Sequence, residues 1–181
     1  MTPLTLWRGT MASPIGAMLL LWDETDRLRA LYFEDRAERM AAMMARQYPG
    51  AQPRQATPPT GIADPLHRYF AGDLHALENI AFATNGSAFQ QAVWTALPAV
   101  RAGETLSYGA LARRLGHPAG ASRAVGLANG ANPVSLVLPC HRIIGANGDL
   151  TGYGGGMARK QWLLEHEGVL PAAAQQMSLF A

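Results

Sequence analysis

Apolar and polar positions along the chain fall into blocks that predict short strands first and helices later. Residues 17–22, and 28–33 apart from Arg29, are apolar and flank the polar Asp23-Glu24-Thr25-Asp26, the pattern of an antiparallel hairpin, with a further strand predicted near residues 4–7. Residues 37–48 carry Met40, Met44 and Tyr48 one turn apart and predict a helix whose methionines fill a core. Residues 49–60, rich in proline and polar side chains, predict a loop. Asp64-Pro65 then supplies a cap and a first-turn proline for a helix ending near Gly72. After a linker near residues 82–86, Ser87-Ala88-Phe89-Gln90 forms a capping box for a helix with Phe89, Val93, Trp94 and Leu97 on one face. Residues 107–115 predict a helix that breaks at Gly116-His117-Pro118, and a second helix follows over residues 119–129. The apolar run 134–138 predicts a strand that must stop at Pro139. Asn147-Gly148 makes a turn, residues 151–156 form a glycine-rich loop, and a last helix covers residues 157–167.

This pattern predicts an α/β (α+β) chain: an N-terminal domain at 1–86 with a small antiparallel sheet and helices, a mostly helical domain at 87–170, and a tail at 171–181. With 181 residues, 49% apolar and 15% charged, the chain can bury a core and is not dominated by disorder. Its longest apolar runs, 17–22 and 40–45, are too short to cross a bilayer, and its start lacks the layout of a signal peptide, so a soluble cytoplasmic protein is expected, and a monomer because no extended apolar seam argues for an obligate dimer. One cysteine, Cys140, excludes an internal disulfide, and the five histidines have no spacing for structural zinc, so no metal is expected.

Charge changes the picture locally. Residues 1–86 sum to −1 and residues 87–181 to +3, and between Arg101 and Arg142 there are five arginines against Glu104 alone. That excess suits phosphate contacts, although an ordinary solvated face would carry it equally well. The helices at 107–115 and 119–129, joined by a tight glycine turn inside this segment, form a candidate helix-turn-helix. The second of them is built of alanine and glycine, with Arg123, Val125 and Leu127 as its bulk. Such a surface permits close approach to a narrow minor groove with Arg123 available to insert, or close packing inside the protein. Cys140 reads either as a small inert core residue or as a nucleophile. A nucleophilic thiolate needs a nearby base or cation, and His141 and Arg142 are adjacent. On an extended strand His141 would face away from the sulfur and reach it through water. The glycine-rich loop lacks the Gly-Lys-Ser/Thr ending of a phosphate-binding loop, which excludes a nucleoside triphosphate site.

Pro139-Cys140-His141-Arg142, together with Arg123-Ala124-Val125-Gly126, Asn132-Pro133, Gly152-Tyr153, Lys160, Trp162-Leu163-Leu164 and His166-Glu167-Gly168, resembles the O6-alkylguanine-DNA alkyltransferase family, bacterial stand-alone type. The resemblance implies a ribonuclease-H-like N-terminal domain and a winged-helix-like DNA-binding domain. It also implies repair by direct reversal: the base is flipped through the minor groove, and the alkyl group of O6-alkylguanine, with O4-alkylthymine a second substrate, moves to Cys140 in a single turnover without a cofactor. It implies that Glu167 orients His141, that His141 draws the thiol proton through water, that Tyr108 protonates the leaving base, and that Asn132 ties the recognition helix to the active-site segment. The resemblance further implies that Arg123 fills the vacated stack, that Gln90, Tyr108, Gly109, Ala121 and Ala124 accompany it on double-stranded DNA, and that Asn129, Tyr153, Gly154, Gly155 and Gly156 wall the base pocket. Gly154 stands where some members carry serine, which predicts a roomier pocket. The zinc some members hold is not expected, because there is no second cysteine.

Gln176-Met177-Ser178-Leu179-Phe180 in the tail resembles the short peptide by which repair proteins dock on the replication sliding clamp. Three competitors remain at this point. A lesion-binding relative would lack the cysteine, a cysteine hydrolase would need oxyanion donors and turn over, and a transcription factor has no use for a Cys-His pair.

Overall fold

The computed structural model describes residues 4–172, so the tail peptide 176–180 lies outside the described residues. The chain divides into two units. One runs to Asn85 and takes in Pro133–Val137; the other holds Gly86–Asn132 and continues from Leu138.

In the first unit β1 (Leu6–Met11), β2 (Met18–Asp23) and β3 (Leu28–Phe33) form an antiparallel meander, with Trp7 opposite Trp22 and Leu20 opposite Leu31. A two-residue β4 (Arg54–Gln55), hidden in the proline-rich stretch, pairs parallel to β1 and completes the order β3-β2-β1-β4. Every residue of β3 is buried, which a sheet covered on both faces requires and which explains why the sequence shows an apolar run rather than alternation. Helix α1 (Ala37–Gln47) buries Met40 and Met43 against Leu6, Leu21, Ala30, Tyr32 and Tyr48, with Met44 only partly covered. The hairpin turn is held by Asp23, whose carboxylate accepts from Thr25 and pairs with Arg27 and with the buried Arg29 at 2.7 Å. Burial would raise this carboxyl, but the Thr25 and Arg29 hydrogen bonds outweigh it and hold the group well below the usual carboxylate range.

Helix α2 (Thr60–Phe70) starts four residues ahead of the Asp64 cap expected from sequence, with Pro59 at its N-cap and Pro65 inside it. Ile62, Leu66 and Tyr69 are its buried face, so the first turn is retained by the burial of Ile62.

The second unit contains α3 (Ala88–Ala96), β5 (Leu106–Ser107), α4 (Tyr108–Arg114), α5 (Ser122–Gly130), β6 (Ile143–Ile144) and α6 (Met157–His166). The capping box forms as the sequence predicts: Ser87 accepts from the Gln90 amide while the Gln90 side chain accepts from that of Ser87. β5 and β6 pair in parallel, Leu106 opposite Ile143, which fixes the start of α4 relative to the segment after Cys140. Helix α4 packs against α5, and Trp94 of α3 donates from Nε1 to the Ala128 carbonyl at 2.8 Å.

The predicted strand at 134–138 does not form. All five residues are buried, but Leu136 takes a positive φ of 71°, Val137 N donates to Ser135 O, and only isolated bridges remain, including Leu31 with Val134. A buried bend demands the same apolar composition as a buried strand, so composition could not separate the two. The bend belongs to the first unit, where Leu31 N donates to Pro133 O at 2.8 Å. Among the described residues no helix is long and apolar enough to cross a membrane.

Candidate active site

Cys140 opens a 3-10 turn, Cys140–Arg142, whose three residues are all buried; the thiol residue is 3% exposed. His141 is therefore not on an extended strand, and the opposite-face geometry expected from sequence does not apply. Two asparagines hold the turn from behind. Asn132 Nδ2 donates to Leu138 O at 2.8 Å and Asn129 Nδ2, on α5, to Cys140 O at 3.2 Å, while Cys140 N donates to Leu138 O at 2.7 Å. Helix α5 and the cysteine turn are thus one hydrogen-bonded assembly.

His141 is wholly buried, and its Nε2 lies 2.9 Å from Glu167 Oε1. An ionised carboxylate only accepts, so Nε2 carries the hydrogen and Nδ1 holds the lone pair. Nδ1 is buried and has no hydrogen-bond partner among the described residues. Burial pushes the His141 pKa below its ordinary value against the pull of Glu167, so the ring is neutral and its open nitrogen is a base.

Glu167 is delivered by the end of α6, its amide donating to Leu163 O. A carboxylate there opposes the helix dipole, and Arg142 and His141 offset that cost. Arg142 forks onto it, Nε to Oε2 at 2.9 Å and Nη2 to Oε1 at 2.8 Å, while Nη1 donates to Val100 O at 2.7 Å. Burial would raise the Glu167 carboxyl; His141 and Arg142 overcome it and keep the group ionised far below the usual range. Arg142, adjacent to the thiol in sequence, is committed to Glu167 instead.

Tyr108 begins α4 behind its N-cap Ser107, and its hydroxyl donates to Thr151 O at 3.0 Å. Burial raises its pKa, so the phenol stays protonated. A side chain added at Gly126 on α5 would sit 3.7 Å from the Tyr108 ring. Tyr153 stacks edge-on to His141 at 6.3 Å, which places the glycine-rich loop against the relay. Gly155 is buried with Gly154 and Gly156 partly so, and Gly156 has a φ of 94° that favours glycine.

The remaining predicted residues are not part of this cluster. Arg123 and Ala124 lie on the exposed side of α5, Ala121 in the 3-10 turn before it, Gly109 in the first turn of α4, and the Gln90 side chain is engaged in its cap.

One functional side chain was quoted in the sequence only as part of a pattern. Lys160 is fully buried, and its Nζ donates to Ile143 O at 2.6 Å, Thr151 O at 2.8 Å and Gly152 O at 3.1 Å. It joins β6, just after the cysteine turn, to the loop, and shares the Thr151 carbonyl with Tyr108. Burial lowers its pKa to about 8, with Cys140 pulling the other way, so it is cationic at neutral pH. The signal was present: Lys160 is the only lysine beside 14 arginines. A compact ammonium with three donors fits three converging carbonyls as a planar guanidinium cannot. Lys160→Met should leave those carbonyls without their donor, cost about 2 kcal/mol, and accelerate proteolytic cleavage and amide exchange in 151–156. Unchanged exchange there would contradict the assignment.

Among the described residues no group of three or more His, Cys, Asp or Glu side chains could hold a metal ion. Residues 6–84 match the family described as 6-O-methylguanine DNA methyltransferase, ribonuclease-like domain, and residues 88–169 its DNA binding domain. The chain is 48% identical over 169 residues to the methylated-DNA--protein-cysteine methyltransferase of Salmonella typhimurium, covering 92% of this chain and 98% of that one. It is 54% identical over 108 residues, 60% of this chain and 64% of the other, to the protein of the same name from Mycobacterium bovis. Among solved structures, Mycobacterium tuberculosis OGT in complex with DNA superposes with a TM-score of 0.76 at 40% identity, over 91% of this chain and 95% of that one. With both halves matched, and a relative nearly half identical over almost its whole length, the chain belongs to the 6-O-methylguanine DNA methyltransferase family.

Proposed function

We propose that this chain repairs alkylated DNA by moving the alkyl group of O6-alkylguanine to Cys140, acting once per molecule. The observation that carries the reading is the buried, neutral His141, locked through Nε2 onto Glu167 with Nδ1 open, in the same turn as the only cysteine. The relatives' name states the reaction, a methyl group passing from DNA to a protein cysteine.

The site geometry and the family resemblance support the following steps. His141 Nδ1 takes the thiol proton through a water, and the Glu167 carboxylate stabilises the imidazolium that forms. The sulfur attacks the alkyl carbon, the carbon–O6 bond breaks with its electron pair going to guanine, and Tyr108 gives the leaving base its proton at N3. A thioether has no thiol left, and no second cysteine is present to regenerate it. Residues 87–170 supply the DNA-contacting machinery: Arg123 fills the stack when the base flips out, and the loop of Tyr153 and Gly154 walls the pocket. O4-alkylthymine is a second substrate of the same pocket. The cytoplasm is where such repair proceeds in a bacterial cell.

Intact mass after mixing with excess duplex containing O6-methylguanine tests the reading. One methyl per chain is expected; binding without a mass change would favour a lesion-binding protein, and release of product over several turnovers a hydrolase.

The peptide Gln176-Met177-Ser178-Leu179-Phe180 is proposed to dock on the replication sliding clamp, with Leu179 and Phe180 as apolar anchors. Immobilised clamp should retain the full chain and lose a chain ending at Pro171. Equal retention would remove the idea.

A further inference from the structure

Leu127 is 72% exposed, the most exposed of the large apolar side chains described. It sits one turn after Arg123 on α5, so the two side chains are neighbours on one ridge. Around them Gly120, Ala124 and Gly130 leave the surface low, while Val125, Ala128 and Asn129 turn inward. A lone leucine held out in water on a helix of small residues covers nothing among the described residues of its own unit.

The charge around it indicates what covers it. Residues 105–148 contain no aspartate or glutamate, and Arg113, Arg114 and Arg123 are all exposed on α4 and α5. Arg142, the fourth cation in that stretch, is consumed by Glu167. A stretch without acid that carries three exposed guanidinium groups and one exposed apolar knob complements a polyanion that also offers an apolar surface. DNA does so in the minor groove, where the deoxyribose walls are apolar between the phosphates.

We propose that Leu127 is a DNA contact that packs on the deoxyribose wall of the minor groove behind Arg123, the arginines contacting phosphate while the leucine contacts sugar. The proposal rests on the DNA-repair reading above. It assigns Leu127 a share of affinity that does not depend on salt, since no counterion is released when an apolar side chain docks.

Leu127→Ala and Leu127→Gln, titrated against undamaged duplex by fluorescence anisotropy over a series of salt concentrations, separate the outcomes. Both variants are expected to bind about tenfold more weakly than the parent, equivalent to about 1.4 kcal/mol, with the slope of log affinity against log salt unchanged and the thermal midpoint of the free protein not lowered. Affinity within twofold of the parent at every salt overturns the proposal. A fall in thermal midpoint overturns it too, since Leu127 would then be supporting the fold. Loss of self-association with unaltered binding to a one-site duplex would assign the knob to a second copy of the chain instead. The parent's methyl uptake, followed by intact mass in parallel, keeps the two readings apart: a parent that takes up no methyl refutes the repair reading, whereas one that does, with variants that bind normally, refutes only this contact.

Discussion

Cys140→Ser should bind duplex containing O6-methylguanine with close to parental affinity and take up no methyl group. The substitution is nearly isosteric at a position that is 3% exposed, and backbone and asparagine contacts hold the turn. Folding should therefore survive, and so should the α4 and α5 surfaces that lie apart from the thiol. The chemistry should not. A thiol of ordinary pKa about 8.5 gives up its proton to a neutral imidazole at modest cost, whereas a serine hydroxyl does not ionise in this range and is a poor nucleophile toward a saturated carbon. Intact mass and a binding titration on the same preparation check both halves. A methylated serine, or methyl found on another residue of the parent, would remove Cys140 from its role.

How far the sequence carried these conclusions varies with the kind of information each element needed. The β2–β3 hairpin, α1 and the Ser87–Gln90 box rest on local periodicity and capping, and they form where the residues predict, whereas β1 runs over Leu6–Met11, further along the chain than the strand expected near residues 4–7. β4 does not announce itself, because a two-residue strand borrows its hydrogen bonds from β1 and leaves no pattern in Arg54 and Gln55. The segment 134–138 was misread because burial, not extension, sets its composition. In the site, Cys140, His141 and Glu167 were legible as a group only through the resemblance, since 25 intervening residues separate His141 from Glu167. The partner of Arg142 was invisible from sequence for the same reason: adjacency to Cys140 suggested a cation for the thiol, while the fold turns the guanidinium toward a carboxylate brought in by α6. Lys160 needed the converging carbonyls of three separate residues, and its uniqueness among arginines was the one trace of that geometry in the sequence.

Glu167→Gln should be the most destabilising single change in the second unit and should also slow transfer about a hundredfold or more. The amide leaves Arg142 as a buried cation without its counter-ion and presents an NH2 group to at least one of the three donors that now find an oxygen; breaking a buried pair from one side costs about 3 kcal/mol. For a unit of this size that is a fall in thermal midpoint of roughly 15 °C. The pH dependence identifies the cause. The native Glu167 carboxyl is held below its unfolded value of about 4.3, so its stabilisation is present in full above that pH and is lost as the pH falls toward the native value. The gap between parent and variant should hence be widest near neutrality and shrink below about pH 4. Asp23 has the same sign in the first unit and keeps its own acid sensitivity in both proteins. Transfer suffers separately, because a neutral amide neither fixes the His141 tautomer nor stabilises the imidazolium, and the loss of an oriented base is worth about 10²-fold or more. Replacing both ions, Arg142→Met with Glu167→Met, distinguishes the two effects. Without an orphaned charge the double variant should melt above Glu167→Gln, yet it should transfer no faster, since His141 still lacks its carboxylate. A double variant that regained transfer would mean that Glu167 serves the fold alone and that His141 needs no partner to act as the base.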